Sequence, residues 1–115
     1  MTIRIIAASR SSRLALKQTE MVLDTLAELN KYDNFQVLKI NTAGDVDKRP
    51  IFSMDRKGVF EKEVNDSVLN GQADFGVHSL KDIPTDLHSE LLIASVPRRA
   101  DPRDVLVSKN KINLV

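Results

Sequence analysis

Three short polar segments carry the side chains of this sequence that could do chemistry. Residues 9–13 read Ser-Arg-Ser-Ser-Arg, residues 56–58 read Arg-Lys-Gly, and residues 78–82 read His-Ser-Leu-Lys-Asp. Arginine and lysine attract carboxylates and phosphates, and arginine can donate two parallel hydrogen bonds to one carboxylate. The first segment also precedes a predicted helix, whose unpaired N–H groups and positive dipole end favour an anion. The sequence therefore predicts a site for an anionic ligand where the three segments meet.

Asp82 is expected to be the only carboxylate of this basic site, with Lys57 and Lys81 adding positive charge to its rim. A carboxylate among basic groups stays ionised, and it can stabilise a cation or relay a proton. Two simpler interpretations remain open. Lys81 and Asp82 also fit an exposed ion pair worth at most about 1 kcal/mol, and residues 9–13 also fit a helix cap with solvated arginines.

The composition argues against several other functions. The sequence has no cysteine, which excludes disulfides, thiolate zinc sites and a cysteine nucleophile among these residues. Its two histidines give little basis for a metal site, and neither GxxxxGK[ST] nor GxGxxG occurs. A net charge of +1 gives no reason to expect nucleic acid or a membrane surface as a partner. The sequence shows neither a signal peptide nor an apolar stretch of about 20 residues, so we expect a cytoplasmic protein.

Hydrophobic periodicity predicts the elements that must position the polar segments. Short apolar runs bounded by polar turns predict strands, and apolar residues at helical spacing predict helices. Strands are expected over residues 3–8, 35–41, 73–78, 91–96 and 105–107, and helices over residues 14–30 and 60–69. This alternation favours the α/β class, with a mostly parallel sheet flanked by helices and right-handed crossovers. In such sheets ligands bind beyond the carboxyl ends of the strands, where the polar segments lie.

The ends and the buried face of each helix can also be predicted. Ser11 or Ser12 is a natural N-cap for the first helix, and Asn70 with Gly71 is a natural end for the second. The buried face of the first helix is expected to contain Ala15, Val22, Leu26 and Leu29, extended by Leu14 and Met21. The second helix is expected to bury Phe60, Val64 and Val68. The long polar connection from residue 42 to residue 58 is of a length that is usually functional or mobile.

Five segments follow one another along nearly the whole chain in a characteristic order. Residues 10–18 read R-S-S-R-L-A-L-K-Q, residues 42–45 read T-A-G-D, residues 57–63 read K-G-V-F-E-K-E, residues 73–84 read A-D-F-G-V-H-S-L-K-D-I-P, and residues 99–104 read R-A-D-P-R-D. In this order they resemble the N-terminal motifs of the porphobilinogen deaminases (hydroxymethylbilane synthases). The fourth segment is the most specific of the five.

The resemblance implies an activity and a cofactor. Enzymes of this family are transferases of tetrapyrrole and heme biosynthesis that join four porphobilinogen molecules into hydroxymethylbilane and release ammonia each time. A covalently attached dipyrromethane serves as their cofactor and primer. The cysteine that anchors it belongs to the third domain of the family, and this chain contains no cysteine. The isolated chain is therefore expected to carry no dipyrromethane and to be inactive.

The resemblance also implies a domain organisation. The family has three α/β domains, of which the first two resemble type II periplasmic binding proteins. By position, residues 1–98 would form an incomplete first domain, and residues 99–115 a hinge and the start of the second domain. The remainder of domain 2 and all of domain 3 would be absent from the chain. The expected partners are then porphobilinogen, the growing polypyrrole and the remaining domains, with self-association possible through an unpaired sheet edge.

The family's site residues can be carried over by position. Asp82 would be the catalytic carboxylate, which contacts pyrrole nitrogens and stabilises a cationic azafulvene-type intermediate. The acetate and propionate groups of cofactor and substrate would be held by Arg10, Ser12, Ser79, Lys81 and Arg99. Lys57 would lie on a mobile active-site loop. An alternative that needs no further domains is a stand-alone binding module for a small carboxylate ligand.

Overall fold

The computed structural model describes residues 3–30, 34–42, 45 and 60–111. Strand β1 spans Ile5–Arg10, helix α1 Arg13–Asn30, strand β2 Phe35–Ile40, helix α2 Lys62–Leu69 and strand β3 Phe75–Gly76. A short 3-10 helix over Leu80–Asp82 follows β3. The chain is thus an α/β fold, as the alternating pattern predicts. None of the described helices combines the length and the apolar character that crossing a bilayer requires.

The three strands form one parallel sheet with β1 in the centre, in the order β2-β1-β3. The β1–β2 register runs from Ile5 opposite Phe35 to Arg10 opposite Ile40. The sheet is parallel, as predicted, because each neighbouring strand is reached through a helical crossover. Strand β1 extends two residues beyond the predicted run, because Ser9 and Arg10 pair with Lys39 and Ile40 of β2. Ser9 is fully buried there, and its hydroxyl donates to the Arg10 carbonyl at 2.9 Å.

The core lies between α2 and the sheet. Its buried members are Ala8, Val64 and Ala73, against which Ile6, Leu38, Ile40 and Val68 pack. Gly76 permits this close approach, because a Cβ added there would lie 3.0 Å from Val64 Cγ1. Helix α2 therefore sits directly over β1 and β3, which fixes the segment that follows β3 relative to the end of β1.

The buried face of α1 matches the predicted one only in part. Leu14, Met21 and Leu29 were expected inside but are 59%, 50% and 74% exposed. Ala15 is buried as predicted, and the fully buried residue one turn later is Thr19. Burial of Thr19 is tolerated because its hydroxyl donates to the Ala15 carbonyl at 2.8 Å, which satisfies the polar group inside the helix itself. Val22 and Leu26 of the predicted face are half-buried, so the structure keeps that face in part, while its extension through Leu14 and Met21 is wrong.

The strands predicted over residues 91–96 and 105–107 are not found. Residues 92–111 are exposed and contain no helix or strand, and Leu92, Val105 and Val107 are 77%, 83% and 88% exposed. A strand needs a neighbour for its backbone hydrogen bonds, and in the part of the chain described here none pairs with these residues. The predicted third strand shortens to Phe75–Gly76.

Helix α2 ends on a glycine in the left-handed region. Gly71 has φ 75°, and its N–H donates to the Val68 carbonyl at 3.1 Å. Nothing lies within 4 Å of the position a Cβ would take, so only the backbone conformation constrains this residue. We expect Gly71→Ala to lower the free energy of unfolding by about 1–2 kcal/mol, measured by urea denaturation. Gly71→Asn should cost less, because asparagine tolerates this region. An equal cost for both variants would contradict the explanation.

Candidate functional site

Two of the three polar segments meet at the carboxyl edge of the sheet. Arg10 is the last residue of β1, and residues 78–82 follow β3, the parallel neighbour of β1. Ser12 is the N-cap of α1, since its Oγ accepts the Ala15 N–H at 3.3 Å. Ser11 instead ties β1 to β2, because its N–H donates to the Ile40 carbonyl at 2.9 Å. The topology thus brings together residues that are about 70 positions apart in the sequence.

A small cleft lies between these segments. It is lined by Arg10, Ser12, Leu14, Ala15, Gln18, Val77, His78, Ser79, Lys81 and Asp82. Five of the seven residues predicted for the site are therefore in one place. Arg99 is exposed, like the rest of residues 92–111, and does not line the cleft. Lys57, with the loop over residues 46–59, lies outside the residues that the structure describes.

Arg10 is the centre of the charge arrangement. Its Nη1 lies 3.6 Å from Asp82 Oδ2, which is close enough for charge attraction but too long for a hydrogen bond. Its Nε and Nη2 donate to the two carboxylate oxygens of Asp45, at 3.2 and 2.5 Å. The guanidinium carbon also lies 4.4 Å from the centre of the Phe60 ring. The electron-rich face of the ring attracts the cation, so this contact stabilises the guanidinium in its position.

The prediction that Asp82 would be the only carboxylate of the site is wrong, because Asp45 also contacts Arg10. From the sequence, no role was predicted for Asp45, which lies in the T-A-G-D segment. Asp45 and Arg10 are 35 residues apart in the sequence, and only the fold brings them into contact. Burial by itself would raise the pKa of Asp45, but hydrogen bonds from Arg10 and Thr42 outweigh it and hold the pKa below its usual 3.8. The hydrogen bond to Asp45 also raises the pKa of Arg10. Both groups are therefore charged at neutral pH.

The hydroxyl and the imidazole of the third segment are held by helix side chains. Ser79 Oγ donates to Gln18 Oε1 at 2.8 Å, which joins the loop after β3 to α1. His78 Nε2 is hydrogen-bonded with Asn65 Oδ1 at 2.9 Å, which joins the same loop to α2. Gln18 and Asn65 were not predicted as site residues, and the signal for Gln18 was its place at the end of the first motif. The loop that carries Asp82 is thus anchored on both sides.

His78 should give the fold a pH dependence. Burial lowers the pKa of His78 below 6.5; Arg10 lowers it further, and Asp82 opposes them. The unfolded chain therefore binds a proton at His78 at a higher pH than the folded chain does. The stability that neutral His78 contributes is present above pH 6.5 and is lost as the pH falls from that value through the lower pKa of the folded chain. We expect the melting temperature to fall between pH 7.5 and pH 5, and His78→Gln to flatten that fall. His88→Gln, at the exposed second histidine, should leave it unchanged. Parallel curves for wild type and His78→Gln would contradict this.

The sequence is similar to known proteins over almost its whole length. Residues 4–115 match the family model described as "Porphobilinogen deaminase, dipyromethane cofactor binding domain". The chain is 44% identical over 109 residues to the porphobilinogen deaminase of Geobacillus sp. (strain WCH70), covering 94% of this chain and 35% of that relative.

Two further relatives are about equally similar. The probable porphobilinogen deaminase of Methanothermobacter thermautotrophicus is 45% identical over 106 residues, covering 91% of this chain and 36% of that relative. That of Nitrosopumilus maritimus is 39% identical over 105 residues, covering 91% of this chain and 34% of that relative. The chain thus spans roughly a third of the length of the curated relatives it matches.

Proposed function

The chain belongs to the porphobilinogen deaminase family, and on that premise we propose that it supplies part of the active site that polymerises porphobilinogen. The observation that carries the proposal is the placement of Asp82 at 3.6 Å from Arg10, on a cleft that Ser12, Ser79 and Lys81 also line. The reaction releases ammonia from porphobilinogen and so develops positive charge on the substrate. It therefore needs an anion at the reacting centre and cations for the substrate carboxylates.

Asp82 is suited to the anionic role. Its side chain is only 13% exposed, which strengthens its field on a nearby cation. The 3.6 Å separation from Arg10 leaves its oxygens close to a cation without a direct hydrogen bond to that guanidinium. A substrate pyrrole N–H could donate to such an oxygen, and the cation formed on loss of ammonia would then be paired with a fixed charge. Asp82 therefore orients the substrate and stabilises its charged form.

The cations and hydroxyls of the cleft are suited to carboxylates. Arg10 and Lys81 supply positive charge, and the Ser12 hydroxyl can donate from the same rim, whereas the Ser79 hydroxyl would first have to turn away from Gln18. These groups fit the acetate and propionate substituents of porphobilinogen and of dipyrromethane. Dipyrromethane, when bound, would supply the pyrrole carbon to which the first porphobilinogen is joined. Its covalent anchor would lie outside these residues, because the chain contains no cysteine.

A finer assignment of the fold accompanies this function. We propose that residues 1–98 belong to a first domain of the type II periplasmic-binding-protein kind, and that residues 99–115 form a hinge and the start of a second domain. The parallel β2-β1-β3 order supports the first part. The exposure of residues 92–111 supports the second, because an extended connection between domains would have this character. Arg99 would then reach the site from the hinge.

The proposal is tested by supplying the chain with the remaining two thirds of the family's length. We expect porphobilinogen consumption and ammonia release from the combined protein, and none from residues 1–115 alone. Turnover by the isolated chain would show that the site is complete without further domains. Saturable binding of a simple carboxylate by the isolated chain, with no turnover after combination, would favour the stand-alone binding module instead.

A further inference from the structure

Two carboxylates compete for one guanidinium at the end of β1. The carboxylate of Asp45 accepts hydrogen bonds from both Nε and Nη2 of Arg10. Asp82 lies 3.6 Å from Nη1 and forms no hydrogen bond with it. A paired, two-bond contact of this kind is both stronger and more directional than a single one. Asp45 therefore determines which edge of the guanidinium faces the cleft.

The carboxylate of Asp45 is itself held in place. Its Oδ2 accepts hydrogen bonds from Thr42 N at 3.2 Å and from Thr42 Oγ1 at 2.8 Å, and its own N–H donates to the Thr42 carbonyl at 3.0 Å. Thr42 is fully buried just beyond β2. Asp45 is thus fixed to the sheet, and the Phe60 ring lies against the Arg10 guanidinium. Arginine has several rotatable bonds, so without these contacts Arg10 could turn towards Asp82.

We propose that Asp45 is a positioning residue that holds Arg10 away from Asp82 and directs its Nη1 edge to the ligand. This inference rests on the proposed function, since it concerns the same site. If Arg10 closed onto Asp82, a direct ion pair would occupy both the cation meant for a substrate carboxylate and the anion meant for the substrate's positive charge. Asp45 keeps the two groups adjacent and prevents their mutual neutralisation.

The test is a set of variants in the combined protein, with porphobilinogen as the probe. Asp45→Asn should lower kcat/KM by about 10- to 100-fold, the size expected when a reacting group is misplaced. In an Arg10→Lys background, Asp45→Asn should lower kcat/KM by no more than about twofold, because lysine has no guanidinium edge to direct. Full additivity of the two variants, or wild-type kcat/KM in Asp45→Asn, would overturn the proposal.

Two controls separate positioning from stability and from charge. Gly71→Ala destabilises the fold away from the cleft, and it should leave kcat/KM unchanged at temperatures where the protein is folded. Asp86→Asn removes an exposed carboxylate close in sequence to Asp82, and it should also leave kcat/KM unchanged. A loss in either control as large as that in Asp45→Asn would assign the effect to general destabilisation or to net charge, and would overturn the proposal.

A second measurement needs no activity. In the 15N-labelled chain, the Arg10 Nε–H should exchange slowly with solvent, and Asp45→Asn should make this exchange fast. If the wild-type combined protein does not turn over porphobilinogen, the proposed function fails. The positioning role is then decided by this signal alone, and slow exchange that persists in Asp45→Asn would overturn it.

Discussion

Asp82→Asn is expected to lower the turnover of porphobilinogen by a factor on the order of 10² to 10⁴ in the combined protein. Asparagine has the shape of aspartate but no charge, so the positive charge that develops on the substrate would lose its partner. Arg10 would keep its two bonds to Asp45, and because Lys81 lines the same cleft, the net charge of Arg10, Lys81, Asp45 and residue 82 would change from zero to +1 just where a cation must form. Single-turnover release of ammonia measures this step directly.

The variant should change chemistry far more than stability. The ion contact of Asp82 with Arg10 is long, at 3.6 Å, so its loss should cost at most about 1 kcal/mol of unfolding free energy. Asp86→Asn is the matched control, because it removes the same charge from an exposed position four residues later. Turnover within a few-fold of wild type in Asp82→Asn would remove this residue from its proposed role.

Arg10→Met should affect both the fold and the site. Methionine keeps an unbranched apolar side chain but removes the guanidinium, which leaves the carboxylate of Asp45 without its main charged partner. An uncompensated group of this kind costs about 1–3 kcal/mol, and partial exposure to solvent places the expected loss near the lower end. Binding of porphobilinogen by the combined protein should weaken by at least tenfold, since a charged carboxylate contact is lost.

The pH dependence of this loss identifies its cause. Arg10 helps to hold the pKa of Asp45 below 3.8, so the stability that this pair provides is present above that pH and is lost as the pH falls through the lowered value. The difference in melting temperature between wild type and Arg10→Met should therefore shrink below about pH 4. Arg13→Met, at an exposed arginine at the start of α1, should stay within about 0.5 kcal/mol of wild type. A difference that is constant with pH would mean that packing, not charge, explains the loss.

Features that depend on neighbouring residues were predictable from the sequence. The positions of α1 and α2, a serine cap at residue 11 or 12 and the Gly71 terminus depend on local residues, and the structure contains all of them, with Ser12 as the cap. The parallel sheet was also predictable, because strands that alternate with helices are joined by crossovers. Since parallel strands end at one edge, the meeting of residues 9–13 with residues 78–82 followed from the same rule.

Features that depend on a distant partner were decided by the tertiary structure alone. Asp45 and Arg10 are 35 residues apart, and no periodicity links them. Burial of Thr19 is tolerated because its hydroxyl donates to a backbone carbonyl within the helix, whereas Leu29, near the C-terminal end of α1, is 74% exposed. Residues 105–107 have the composition of a strand, but composition does not supply the neighbouring strand that a strand requires. The sequence therefore determined the elements, the order of the sheet and the edge that carries the site. The fold determined which carboxylate holds Arg10, because that contact depends on long-range geometry that local patterns do not encode.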